Sequence, residues 1–175
     1  MGNETGNLAR FDRLVGTYGA DLYRFAMWLC GDDALAKDLV QETYVRAWKG
    51  LGQLKDEAAA KGWLLTIVRR EYARTFERKV PQFTDVETVV LPDEHAAGPD
   101  ERAEIGLLRR HILALAPKYR EPLLLQTVMG CSCEEIAAEL NISKSAVMTQ
   151  LFRAREQLKS RLQQHGVTGN VHGLF

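Results

Sequence analysis

Apolar residues along the chain recur at steps of three and four, the spacing of one helix face, and no stretch alternates apolar with polar as a half-buried strand would. Phe11, Leu14, Val15, Tyr18, Leu22, Phe25, Ala26 and Leu29 form the first such stripe, and Gly31 closes it. Asp32 or Asp33 can cap a second helix running to about Lys49, ahead of Gly50 and Gly52. A third helix runs from about Ala59 to Lys79 and stops before Pro81, because proline disfavours helical backbone in the residue ahead of it. Asp100 can cap a helix carrying Ile105, Leu108, Ile112 and Leu115. Pro117 suits the first turn of the next, which reaches about Met129 with Pro122 deep inside it. The pattern predicts an all-α fold.

The most informative segment is Ser132 to Lys159. Ser132 and Glu135 have the spacing of a capping box ahead of Ile136 and Ala137, predicting a helix over Cys133–Leu140. Asn141 tolerates a left-handed turn, Ile142 plugs the corner, and Ser143 can cap the following helix. A short helix, a three-residue turn and a longer helix make a helix-turn-helix. At ~100° per residue from Lys144, Val147, Leu151, Ala154 and Leu158 share a narrow buried stripe. Ser145, Met148, Thr149, Phe152 and Arg153 face the other way. An outward phenylalanine beside an arginine and small hydroxyls suits a DNA major groove, where Thr and Phe meet thymine methyls and Arg meets guanine or phosphate. Arg155 and Lys159 would lie nearer the phosphates. The alternative is that Phe152 packs on another helix and the arginines are solvated.

Charge divides the chain. It has 175 residues with 23 Lys/Arg and 23 Asp/Glu. Residues 1–80 carry 13 basic and 11 acidic side chains, 81–104 one basic and 7 acidic, and 105–175 9 basic and 5 acidic. The middle segment, VPQFTDVETVVLPDEHAAGP and its flank, also holds Pro81, Pro92, Gly98 and Pro99. We read it as a flexible acidic linker (81–104) between two small helical domains, 1–80 and 105–163, with a tail at 164–175. The other reading is an acidic surface loop within one domain.

Two faces in the first domain carry candidate chemistry. On the 33–49 helix, Ala36, Leu39, Val40, Thr43, Ala47 and Trp48 share one side, while Leu35, Asp38, Gln41, Glu42, Val45 and Lys49 share the other. That second, mixed face can pair with a basic partner helix while excluding water, or be an ordinary solvated surface. In KGWLLTIVRREYARTFERK, aromatics alternate with Arg69, Arg70, Arg74, Arg78 and Lys79, as in proteins that stack bases and pair phosphates of single strands. Trp63, Leu64 and Ile67 are assigned to the core and only the cations to a ligand.

Several function classes fall away. Glycine-rich phosphate loops, nucleophile elbows and HExxH are missing, so an enzyme is not expected, nor a cofactor. Cys30, Cys131 and Cys133 are odd in number, and His95, His111, His165 and His172 are scattered, so structural cysteines and no metal site are expected. No window approaches the ~18 apolar residues of a membrane span, and the N-terminus lacks the features of a secretory signal. The expected setting is the cytoplasm.

DLVQETYVRAW at 38–48, WLLTIVRRE at 63–71 and the helix-turn-helix ending LFRARE, in that order, resemble the extracytoplasmic-function (ECF) sigma factors of bacterial RNA polymerase. The resemblance spans about residues 8–162. It implies a sigma factor that binds core RNA polymerase and directs it to specific promoters, under an anti-sigma factor. Asp38, Gln41, Glu42 and Val45 then lie on the polymerase-binding helix. The loop Leu54–Lys61 matches the segment that captures a flipped minus-ten base, with Lys55, Lys61, Arg69, Arg70 and Arg74 as minus-ten DNA contacts. Ser145, Met148, Thr149, Phe152, Arg153 and Arg155 become minus-thirty-five contacts. The chain departs from the family where Arg70 and Arg74 replace an Asn and an Asp, and where Met148 and Gln150 replace basic residues; losing those two cations weakens sequence-independent attraction to DNA. A helix-turn-helix regulator acting without polymerase recruitment is the alternative; it would need a ligand or receiver domain in the first half, hence strands.

Overall fold

A computed structural model describes residues 2–78 and 99–164. The expected linker, apart from its last residues, and the expected tail, apart from Gln164, lie outside the described residues. Among those described, the regular elements are helices: α1 (Gly2–Cys30), α2 (Asp33–Gly50), α3 (Ala60–Arg78), α4 (Pro99–Leu113), α5 (Pro117–Thr127), α6 (Cys133–Leu140) and α7 (Lys144–Gln164). Two 3-10 turns, Leu51–Gln53 and Glu57–Ala59, join α2 to α3.

Local chemistry sets most boundaries. Gly31 ends α1 with φ at +70°, its N–H bonded to the Met27 carbonyl at 2.8 Å. Asp32, not Asp33, caps α2: its carboxylate accepts the Leu35 N–H at 2.7 Å. Asp100 does not precede its helix as expected. Helix α4 already begins at Pro99, whose fixed φ and missing N–H suit a first turn, so Asp100 sits one residue inside. Helix α5 opens at Pro117 and runs on through the buried Pro122. It stops at Thr127, short of the expected Met129, and Gly130 turns the chain with φ at +64°.

Helices α1, α2 and α3 pack around Leu22, Phe25, Ala26, Leu39, Ala47, Leu64, Leu65 and Val68. A satellite of Leu14, Leu51, Leu54 and Ala60 seats the 3-10 turns against α1. Helices α4 to α7 close around Ile112, Leu123, Leu124, Ile136, Val147, Leu151 and Leu158. These two groups are the two sequence-defined halves, and their apolar interiors run into one cluster, because α1 touches α4 and α5 while α3 touches α6.

The junction is mixed in polarity. The Arg109 guanidinium, 2% exposed, lies 5.0 Å above the Trp28 ring. Arg120 donates to the Leu113 carbonyl at 2.9 Å and to the Tyr72 hydroxyl at 3.1 Å, and that hydroxyl donates to the Leu29 carbonyl at 2.7 Å. Burial pushes the Tyr72 phenol up to about 12, keeping it a neutral donor. Junctions that bury guanidiniums carry a desolvation cost that a purely apolar seam lacks.

Candidate functional site

The helix-turn-helix forms as the sequence predicts. Ser132 accepts the Glu135 N–H at 3.2 Å and Glu135 accepts the Ser132 N–H at 2.7 Å, closing the capping box at the start of α6. That donated N–H holds the Glu135 carboxyl below its ordinary range. Asn141 takes φ at 53° and ends α6, and Ser143 accepts the Ala146 N–H at 3.1 Å to start α7. Lys144 reaches back to pair with Glu134, fastening the two helices.

The inner stripe of α7 is Val147, Leu151, Ala154 and Leu158, all buried. Its outer face shows Ser145, Met148, Thr149, Phe152 and Arg153, with Met148 56% and Phe152 64% exposed. Met148 and Phe152, one helical turn apart, put two large apolar side chains side by side on this exposed face. Arg155 is turned aside and donates to Gln126 at 2.6 Å.

Beside this face lies a shallow groove of about 330 Å³ lined by Lys118, Tyr119, Ser145, Thr149, Gln150 and Arg153. A hydrogen bond from Arg153 holds the Tyr119 phenol below its ordinary range, with Lys118 adding to the effect. Two cations and three hydroxyls around one groove suit a phosphate. Lys118 and Tyr119 escaped the sequence reading because they open α5, remote in sequence from α7; a Lys-Tyr pair after a helix-opening proline was the one available hint.

On α2, Asp38, Gln41 and Val45 are exposed together and Glu42 is half-buried, while Ala36, Leu39, Thr43 and Ala47 are inside. Glu42 pairs with Arg46 at 3.0 Å, and Arg46 pairs in turn with the buried Glu71 at 2.6 Å. Trp48, expected inside, is 44% exposed and rests edge-on against Phe11 at 5.3 Å between centroids. It lies at the edge of the inner stripe, about 100° round the helix from the buried Ala47.

The first domain's cations divide. Lys55 and Arg70 are open to solvent. Arg74 is exposed but pairs with Glu71 at 2.7 Å. Lys61 donates to the Met129 carbonyl, and Arg69 pairs with Glu121 at 2.7 Å and Glu139 at 3.0 Å, all three partners belonging to the second domain. Trp63, Leu64 and Ile67 pack in or against the core.

Burial pushes the Cys30 thiol up to about 11 and the Cys131 thiol upward, which makes both poor nucleophiles. Among the described residues no group of three or more His, Cys, Asp or Glu is placed to hold a metal ion, and no helix is long and apolar enough to cross a membrane.

Comparison with known proteins agrees with this layout. Residues 14–80 match the sigma-70 region 2 family and residues 105–158 the sigma-70 region 4 family. The chain is 31% identical over 160 residues to the ECF RNA polymerase sigma factor SigM of Bacillus subtilis, covering 89% of this chain and 96% of that protein. It is 34% identical over 161 residues to the ECF RNA polymerase sigma factor SigL of Mycobacterium tuberculosis, covering 89% and 90%. The fold is similar to that of the sigma factor RpoE solved with the anti-sigma factor NepR from Bartonella quintana, with a TM-score of 0.73, 23% identity and coverage of 88% and 97%. CnrH, solved with the cytosolic domain of CnrY, gives 0.69, 25%, 91% and 92%.

Proposed function

The chain belongs to the ECF sigma factors, and on that premise we propose how its own residues act. As a sigma factor it binds core RNA polymerase and directs it to specific promoters, under the control of an anti-sigma factor. It works in the cytoplasm, where polymerase and chromosome meet.

The exposed face of α2, with Asp38, Gln41, Glu42 and Val45, docks on a basic helical element of the polymerase; acids and an amide around an apolar residue give charge steering with some dry contact. The Leu54–Lys61 loop and Lys55, Lys61, Arg69, Arg70 and Arg74 engage the minus-ten element, where strands separate and a base leaves the stack. Helix α7 enters the major groove of the minus-thirty-five element, Met148, Thr149 and Phe152 reading apolar base edges and Arg153 a base or phosphate. Ser145 contacts the same element, and Arg155 takes a phosphate once released from Gln126. Every step is binding; none makes or breaks a bond in this chain.

The observation that carries this reading is Phe152, 64% exposed on the second helix of a fully capped helix-turn-helix. Run-off transcription with purified core polymerase on genomic fragments tests it. The chain should give discrete transcripts absent with core alone, and Asp38→Arg should lower their yield without changing the melting temperature. Initiation no better than core alone overturns the proposal; promoter binding without any initiation would favour the polymerase-independent regulator.

A further inference from the structure

Of the two α3 cations that face the second domain, Lys61 is held by the Met129 backbone carbonyl, and Arg69 by carboxylates whose charged oxygens resemble those of a phosphate. Arg69 donates through Nε and Nη2 to Glu121 Oε2 at 3.0 and 2.7 Å, and through Nη1 to Glu139 Oε1 at 3.0 Å and to the Glu139 carbonyl at 3.3 Å. Thr66 adds a hydroxyl to Glu139 at 2.8 Å. Glu121 and Glu139 are only 24% and 11% exposed and sit on α5 and α6, so their charges reach Arg69 only when the two domains are together. A carboxylate and a phosphate oxygen offer a guanidinium the same acceptors.

From these contacts we infer that Glu121 and Glu139 are an internal substitute for promoter phosphates: they occupy Arg69 and hold the free chain closed until DNA competes them away. The inference rests on the proposed roles of the two domains. Sites named minus-ten and minus-thirty-five lie about 25 base pairs apart, or ~85 Å at 3.4 Å per pair. Packed domains of about 70 residues have radii of gyration near 11 Å, so their centres lie ~25 Å apart in the closed form. The closed chain cannot read both elements at once. The twenty residues between Arg78 and Pro99 can reach at most ~70 Å, which with the domains' own radii covers the span. Opening therefore frees Arg69 and Lys61 as the domains move apart. The outer face of α7 is open throughout, so the closed form withholds the minus-ten contacts and leaves the minus-thirty-five reader exposed.

The test uses the full chain without polymerase. The double variant Glu121→Gln plus Glu139→Gln is compared with Asp12→Asn plus Asp21→Asn, which removes the same charge from α1. Small-angle scattering gives the radius of gyration, and anisotropy gives affinity for a fluorescein-labelled single-stranded DNA of random sequence. If the open form is a tenth of the population, the double variant should bind up to about tenfold tighter than the control and be measurably larger. Either readout staying at the control's value overturns the inference. Should circular dichroism show lost helix, Glu121→Gln alone, which keeps the Thr66–Glu139 contact, is judged by the same two readouts. A wild-type chain that initiates normally while the variant neither opens nor gains affinity rejects the latch and leaves the sigma reading standing.

Discussion

Phe152 and Arg153 are neighbours with different proposed tasks. Both stand on the solvent side of α7; truncating Phe152 leaves the buried stripe untouched, and truncating Arg153 removes its surface hydrogen bond to Tyr119. Phe152→Ala should weaken binding to a minus-thirty-five duplex by about 1–3 kcal/mol and relax base preference, as loss of a base-edge contact does. Arg153→Ala should weaken binding across sequences and lower the salt slope by about one if its target is phosphate. Anisotropy titrations at several salt concentrations separate the two, with melting curves matching wild type. Arg69 marks where residue type misleads. In the sequence it is one of several cations among aromatics, but the tertiary structure gives it two carboxylates from the other domain.

At the element scale, the helix-turn-helix depends on its caps as much as on its core. Helix α6 spans only Cys133–Leu140, too short to persist by propensity alone. Ser132→Ala removes one of two reciprocal bonds and should cost about 1 kcal/mol, read by denaturant unfolding. The cap also titrates. The Glu135 carboxyl is held below its ordinary range by the Ser132 N–H, so its contribution is present above the unfolded carboxylate value and fades as pH falls through the lower folded value. The protection factor of the Ser132 amide, its exchange rate relative to the unfolded chain at the same pH, should therefore fall on acidification toward pH 3, and in Glu135→Gln that step should shrink. These features were legible in the chain because a capping box, a left-handed Asn and an i, i+4 stripe involve residues only a few positions apart. The expected Asp100 cap gives way for a related reason: Pro99 and Asp100 are both good helix openers, and the proline takes the first-turn place.

For the whole molecule, the junction between the domains controls what the surface can do. Gly31 lies on it, with φ at +70°, and a Cβ there would come 2.5 Å from Leu113 Cδ1. Leu113 can rotate away, so the left-handed backbone is the larger obstacle for any other residue. Gly31→Ala should cost about 1–2 kcal/mol and lower the melting temperature by ~2–8 °C in a scanning measurement. Arg109 and Arg120 are the junction's other signature. Both were unremarkable surface-type cations in the sequence, and both are buried, one over Trp28 and one beside Tyr72. Their aromatic partners are distant along the chain, so no local pattern announces the pairing.

The chain alone settled its helices, its helix-turn-helix and the outward faces of α2 and α7, because each is fixed by bonds and stripes within one or two turns of backbone. Tertiary structure decided which cations are free. Lys61 and Arg69 are bound by partners 52 to 70 positions away, through contacts that exist only when α3 meets α5 and α6. Local periodicity tells which side of a helix faces inward; which charge waits on the opposite side depends on how whole helices come together in space.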